Sequence, residues 1–367
     1  MFLQEQADYH AMNSNIKSST IIKRIIQTER IKQTYGIINY KTSNTSLQNV
    51  NQLQILQNDG SRETITEREQ INKLILSQTK SLFEDINHLP ITNQSITQYI
   101  GEYAQKSGAN DILNNNIIEK HIPNSPYLKE YLTNLQRPKS ITKELITAKF
   151  TPTEFISTFR KANEKTMASP SGVHYFHYKA ATYDPKLTRL LATRLSIPFH
   201  FPFKVNHWSQ SHHVLLPKTN PPLLHKMRNI QIIEADYNSY FKQKINHQLL
   251  NTPQVSHILQ NQMYGGIQNR STHLSITNQL LINDYITLTK SSAYITQYDA
   301  ANCFDRMIPN LTAIALTRLG SPQQIGIQLA INSLNTTHRI TSKDGLSNEK
   351  YHEQWQQLGQ VLVKETA

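Results

Sequence analysis

The segment Tyr294 to Asp305 reads Tyr-Ile-Thr-Gln-Tyr-Asp-Ala-Ala-Asn-Cys-Phe-Asp. Its alternating aromatic and β-branched residues predict a strand that ends at Asp299. Pro309 stands where the first turn of a following helix is expected, and Gly320 stands just past that helix's end. One carboxylate is therefore delivered to a strand-to-helix junction, where a sheet fixes its backbone while its side chain can reach a cation. Phe304 lies five residues on and a second acid, Asp305, six on. A solvent-facing Asp at a strand end is the plain alternative, because acids and Phe-Asp pairs also occur in ordinary helix-capping turns.

Other blocks stand upstream in a fixed order. Ser169-Pro-Ser-Gly-Val-His-Tyr-Phe-His-Tyr-Lys179 reads as a turn and a short helix, and Trp208-Ser-Gln-Ser-His-His-Val-Leu-Leu-Pro-Lys218 as a strand ending in Pro-Lys. Lys226-Met-Arg-Asn-Ile-Gln-Ile-Ile-Glu-Ala-Asp-Tyr-Asn238 leads into a helix. Gln262-Met-Tyr-Gly-Gly-Ile-Gln-Asn-Arg-Ser-Thr272 is a glycine turn before another helix, and Gln357-Leu-Gly-Gln360 comes last.

As an ordered set over roughly residues 150 to 360, these blocks and the Asp299 junction resemble the reverse transcriptases of retrotransposons without long terminal repeats. The resemblance implies a partial right-hand polymerase of α+β class, with fingers and an incomplete palm over 150–367, preceded by a mainly helical extension over 1–149. It implies RNA-directed DNA synthesis on an RNA template and DNA primer, with deoxynucleotides as substrate and magnesium as cofactor. Asp299, with Ala300 beside it, would bind the metal, Asp299 being the catalytic carboxylate. Lys218 and Arg228 would hold the incoming triphosphate, as basic clamps do in phosphoryl transfer. Phe304 would exclude a 2′-hydroxyl by its bulk. Arg270, Ser271, Thr272, Gly359 and Gln360 would lie along the template. Asn229 stands where the family usually has Pro, which alters the expected local turn.

Each assignment has a plain counterpart. Lys218 and Arg228 are two bases in a basic chain, Phe304 is an aromatic that a core would take, and Ser271 or Thr272 is a natural N-cap. The family's third motif, a strand turn with two adjacent aspartates, is missing, and no Asp-Asp pair occurs in the sequence. Two-metal nucleotidyl transfer needs ions about 3.5–4 Å apart, and one carboxylate does not organise the pair. The expectation is thus a polymerase cut short before its active site is complete. The alternative is a non-catalytic nucleic-acid binder of polymerase descent, or an unrelated helical scaffold.

The formal net charge is +12 over 367 residues. That balance favours phosphate-rich ligands through counterion release, and an anionic membrane surface would suit it equally. No apolar run approaches the length of a membrane span, and the polar start is no signal peptide. Together with a single cysteine, Cys303, this places the expected site of action inside the cell, in cytoplasm or nucleus. The fifteen histidines include pairs and clusters, among them His174 with His177 and His212 with His213. They show no zinc spacing, and neither hydrolase nor P-loop motifs occur.

The first 150 residues are rich in Asn, Gln, Ser, Thr, Ile and Lys and promise a poor core of their own. Within them Ile21 to Tyr40 reads as a basic amphipathic helix, Val50 to Ile65 as a hairpin around Asp59-Gly60, and Glu67 to Ile86 as a helix. Further on, Tyr237, Phe241, Ile245 and Leu249 recur every four residues and predict one buried helix face. Thr272 to Lys290 predicts a helix packed beneath the Asp299 strand.

Overall fold

The computed structural model describes residues 52–57, 59–84, 93–117, 119–164, 169–218, 222–259, 263, 271–292, 294, 307–342, 345–346 and 351–352. Among them the chain is mixed α and β, with helices in the majority and two small sheets. The expected helix at Ile21–Tyr40 lies outside the described residues.

The first sheet is the expected hairpin. β1 (Leu53–Leu56) and β2 (Arg62–Ile65) run antiparallel, with Leu53 opposite Ile65 and Leu56 opposite Arg62. Gly60 adopts φ +81°, a left-handed conformation that suits glycine, and donates its N–H to Gln57 O at 3.0 Å. Asp59 Oδ1 accepts from the Ser61 hydroxyl at 2.6 Å and from its N–H at 2.8 Å, which holds the carboxyl below its ordinary pKa. α1 (Arg68–Glu84) follows, as the sequence predicts, and its Ile71 and Ile75 bury against Leu53 and Ile340.

α2 (Gln94–Ile100), α3 (Ser107–Leu113) and α4 (Pro126–Asn134) are short, and the first and last of them carry side-chain N-caps. Asn93 accepts from the Ser95 N–H, and Ser125 precedes a proline in the first turn. Their buried Ile96, Ile100, Ile112 and Leu132 pack with Leu311 and Ile314 of α11 and Ala330 of α12, the helices at Pro309–Arg318 and Gln323–Asn335. This core therefore spans the compositional boundary at residue 150. Pro309 and Gly320 bound α11 as expected, with Gly320 at φ +94°. A Cβ at Gly326 would meet Ala313 O at 2.8 Å and its Cα at 2.9 Å, so α11 and α12 touch backbone to backbone.

The largest core is aromatic. α5 (Pro152–Arg160), α6 (Tyr175–Ala181), α7 (Pro185–His200) and α8 (Ala235–Phe241) surround Phe150, Phe155, Phe159, Phe199 and Tyr240. The rings of Phe199 and Tyr240 stack at 3.4 Å between centroids. The Tyr240 hydroxyl donates to Ala148 O at 2.7 Å, and burial pushes its pKa up.

The four-residue stripe holds at its ends, where Tyr237 and Leu249 are buried, and departs from the expectation between them. α-Helical geometry ends at Phe241, and Lys242–Gln248 is π-helical, followed by one 3-10 turn at Leu249–Asn251. Tyr240, still within α-helical geometry, and Lys244, in the π-helical segment, are fully buried, while Phe241 and Ile245 are half-buried against the same core. The reason is polar. Lys244 Nζ reaches Glu154 Oε1 at 2.7 Å, and the Gln248 amide donates to the same oxygen.

α9 (Pro253–Ile258) and α10 (Thr272–Thr289) complete the helices in sequence order before α11. α10 spans the expected residues, but Leu280, Leu281, Ile282, Tyr285 and Leu288 are all more than half exposed. The strand expected above it lies outside the described residues.

The second sheet has the order β4-β3-β5-β6. β3 (Gln210–Pro217) pairs antiparallel with β4 (Met227–Ile232) and parallel with β5 (Thr337–Ser342). Two short strands, β6 (Gly345–Leu346) and β7 (Tyr351–His352), pair antiparallel with β5. One face carries Ser211, His213, His338 and Ile340, all buried, with Ile340 packed against α1. The other face carries His212, Leu216, Thr337 and Arg339, all half-exposed.

Candidate functional site

The β3–β4 ribbon assembles the site. Its ladder runs from His212 opposite Ile232 to Pro217 opposite Met227, with Leu216 opposite Arg228. One step further, the Lys218 N–H donates to Lys226 O at 3.1 Å. Residues paired across an antiparallel ladder share a face, and so do alternate residues along a strand. Positions 218, 226 and 228 therefore lie on one face at the same end of the ribbon. Lys218 and Lys226 are exposed. Like charges so close across a ladder are unfavourable unless an anion lies between them. Asn229, in the place of the expected proline, pairs with Leu215 in mid-ladder, so the backbone continues as strand where the family pattern suggests a turn. Lys226, the last residue of a 3-10 turn at Leu224–Lys226, was not among the expected site residues, and its place opposite Lys218 follows from the assembled ribbon.

Beneath the ribbon, two acids at the start of α8 tie three sequence blocks together. The turn at Ser169–Gly172 closes with the Gly172 N–H on Ser169 O at 2.9 Å. The Ser171 N–H and hydroxyl donate to the two Glu234 oxygens at 2.7 and 2.8 Å, and Ser169 Oγ accepts the Ala235 N–H at 2.7 Å. The indole N–H of Trp208, next to the start of β3, donates to Asp236 Oδ1 at 3.0 Å, while His207 Nε2 lies 3.2 Å from Asp236 Oδ2. Carboxylates in the first turn of α8 also meet the positive end of its dipole. Burial raises the pKa of Glu234, with the Ser171 hydrogen bonds opposing. Glu234, Asp236, Ser171 and Trp208 position the ribbon. Sequence spacing gave no sign of these pairings, because the partners lie far apart along the chain.

The remaining expected residues fall elsewhere. Asp299, Ala300, Phe304, Arg270, Gly359 and Gln360 lie outside the described residues. Ser271 occupies the N-cap position of α10 without a side-chain capping bond, and Thr272 opens that helix. His177 has a structural task, since its Nδ1 accepts the His174 N–H at 2.9 Å. Among the described residues no group of three or more His, Cys, Asp or Glu side chains is placed to hold a metal ion, and no helix is long and apolar enough to cross a membrane. No protein-family model matches the chain, and no curated protein matches it.

Proposed function

We propose that the β3–β4 ribbon belongs to the fingers of an RNA-directed DNA polymerase related to retrotransposon reverse transcriptases. Lys218, Lys226 and Arg228 take the triphosphate of an incoming deoxynucleotide beside an RNA/DNA hybrid. The supporting observation is the register. Lys218 and Arg228, assigned to one triphosphate from separate sequence blocks, lie on the same ribbon face, one diagonal step apart. Cations gathered at one end of a strand pair can stabilise phosphate charge. The hydrogen bonds that Glu234 and Asp236 accept from the neighbouring blocks agree with a single functional unit, and a net charge of +12 agrees with a nucleic-acid ligand.

Magnesium at Asp299 and Ala300, the sugar gate at Phe304 and the template contacts at Arg270, Ser271, Thr272, Gly359 and Gln360 belong to the same proposal by resemblance. A second reading, a nucleic-acid binder without catalysis, rests on the net charge of +12.

The test is competition against a fluorescent deoxynucleotide with magnesium and a primed RNA template present. Lys218→Ala combined with Arg228→Ala should weaken nucleotide binding by about tenfold or more, the loss of charge-assisted hydrogen bonds. Unchanged nucleotide affinity would remove the ribbon from the site. Magnesium-dependent primer extension abolished by Asp299→Ala would decide for the polymerase over the binder, and extension that survives the substitution would refute the metal assignment.

A further inference from the structure

We propose that a cleft over the starts of β3 and β5 binds a phosphate group, separately from the triphosphate face at the ribbon's other end. The cleft has a volume of about 240 Å³, and Lys204, His212 and Arg339 line it together with Asn206, Asn335 and Thr337. Among the described residues no acidic or apolar side chain contributes to its wall. Small-molecule sites are usually larger, about 300–1,000 Å³, and mostly apolar. A cleft of this size, lined by polar and basic residues, suits one charged group of a ligand rather than a whole nucleotide.

The parallel register places His212 directly opposite Arg339, and Gln210 opposite Thr337. Two basic side chains facing each other across adjacent strands destabilise a sheet when both are charged. Among the described residues no carboxylate pairs with Lys204, His212 or Arg339. Burial and then the Arg339 charge both lower the pKa of His212, so the site is electropositive even where its imidazole is neutral. An anion between them turns an unfavourable cross-strand pair into a favourable three-body contact, and phosphate offers enough oxygens to accept from all three donors.

Position also bears on the source of the phosphate. His212 lies in β3 and Lys218 one residue past its end, six residues apart, which is about 20 Å of extended chain. Duplex nucleic acid covers that distance in about six base pairs. A backbone phosphate of a bound strand and a free phosphate therefore both suit the cleft chemically. The inference does not rest on the triphosphate assignment, since it uses different side chains.

The experiment compares thermal unfolding of the whole chain in sodium phosphate and in sodium chloride of equal ionic strength, for wild type, Arg339→Gln, Arg339→Lys and Lys204→Gln. Phosphate should raise the midpoint of the wild type above its chloride value, because it binds the folded state alone. Arg339→Gln should abolish that rise, Lys204→Gln should reduce it, and Arg339→Lys should retain part of it. In chloride at neutral pH, Arg339→Gln should melt close to wild type, since no carboxylate among the described residues pairs with Arg339. A phosphate effect that is absent from wild type, or equal in wild type and Arg339→Gln, overturns the proposal. The two sources separate in a second arm using a labelled single-stranded oligonucleotide. Weaker oligonucleotide binding by Arg339→Gln, with competition by inorganic phosphate in wild type, assigns the cleft to a backbone phosphate. Unchanged oligonucleotide binding alongside the midpoint effect assigns it to a free one.

Discussion

Trp208 donates its indole N–H to Asp236 at 3.0 Å, and both residues are buried. The bond joins the turn that launches β3 to the first turn of α8, so it sets where the ribbon stands relative to the aromatic core. Replacing Trp208 with Phe keeps most of the ring packing and removes the donor. The buried Asp236 oxygen then retains the Tyr237 N–H at 2.7 Å. We expect Trp208→Phe to cost about 1–3 kcal/mol of stability by urea unfolding, the penalty of an under-satisfied buried acceptor. Asp236→Asn should cost a similar amount, and the double variant less than the sum. Strict additivity would show that the bond contributes nothing.

The pair Lys244 and Glu154 makes a second, sharper case. Lys244 is 1 % exposed and its Nζ lies 2.7 Å from Glu154 Oε1, with Thr151 and Gln248 donating to the same carboxylate. Burial pushes the Glu154 pKa up, but the hydrogen bonds from Lys244, Thr151 and Gln248 and the Lys244 charge together outweigh it and hold the carboxyl below its ordinary 4.5. A depressed carboxylate stabilises the fold above the unfolded value, and that stability is lost as pH falls through the folded value. Lys244→Met leaves the acid without its charge partner and should destabilise by about 3 kcal/mol. Glu154→Gln/Lys244→Met should recover much of that loss. The gap between wild type and Glu154→Gln in chemical unfolding should narrow as pH drops below about 4.5; a gap constant with pH would refute an ionised Glu154.

What the sequence disclosed and what it withheld divide along chain separation. The Asp59-Gly60 turn, the α1 span, the Pro309 and Gly320 bounds and the β3 strand are set by neighbours a few residues apart, and each is found as read. Lys244 was hidden because its partner is 90 residues away, and an apolar stripe gives no reason to bury a lysine. The Ser171 and Glu234 contact spans 63 residues. The parallel partner of β3 was equally invisible, since Thr337–Ser342 offers a single aliphatic residue as a strand signal and its pairing follows from helices that fold in between. Of the expected site, Lys218 and Arg228 are brought together by local strand register. Lys226 and the Lys204, His212 and Arg339 cleft emerge only when the sheet is assembled.

His177 makes the helix α6 sensitive to acid. Its Nδ1 accepts the His174 N–H, a bond that requires the ring to be neutral. Burial, and then the nearby His174, lower its pKa to about 4 from an ordinary 6.5. Between those values the unfolded chain binds a proton that the folded one refuses, so stability is full above pH 6.5 and declines as pH falls toward 4. Substituting Gln, which can still accept the N–H, should flatten that part of the pH profile. A proton-NMR titration of the wild type should place the His177 midpoint well below that of an exposed histidine, and a midpoint near 6.5 would contradict the buried acceptor role.

Salt dependence separates the ribbon from general basic attraction. A duplex-binding protein loses affinity with salt in proportion to the phosphates it neutralises, with a slope near −0.9 for each. If Lys218 and Lys226, both exposed on one ribbon face, contact backbone phosphates of an RNA/DNA hybrid, each change to Ala should weaken binding at every sequence and reduce that slope by about one. If they serve the triphosphate, hybrid affinity and its slope should stay near wild type while nucleotide affinity falls. Because the charge at both positions is lost in either case, net charge alone predicts the same small effect on hybrid binding for any exposed lysine. Lys129, an exposed residue of α4, supplies that baseline. Lys218→Ala and Lys226→Ala that match Lys129→Ala in both slope and nucleotide affinity would mean that the ribbon face takes neither ligand, whereas a nucleotide-specific loss confined to the ribbon would identify the β3–β4 register as what selects a triphosphate over a backbone.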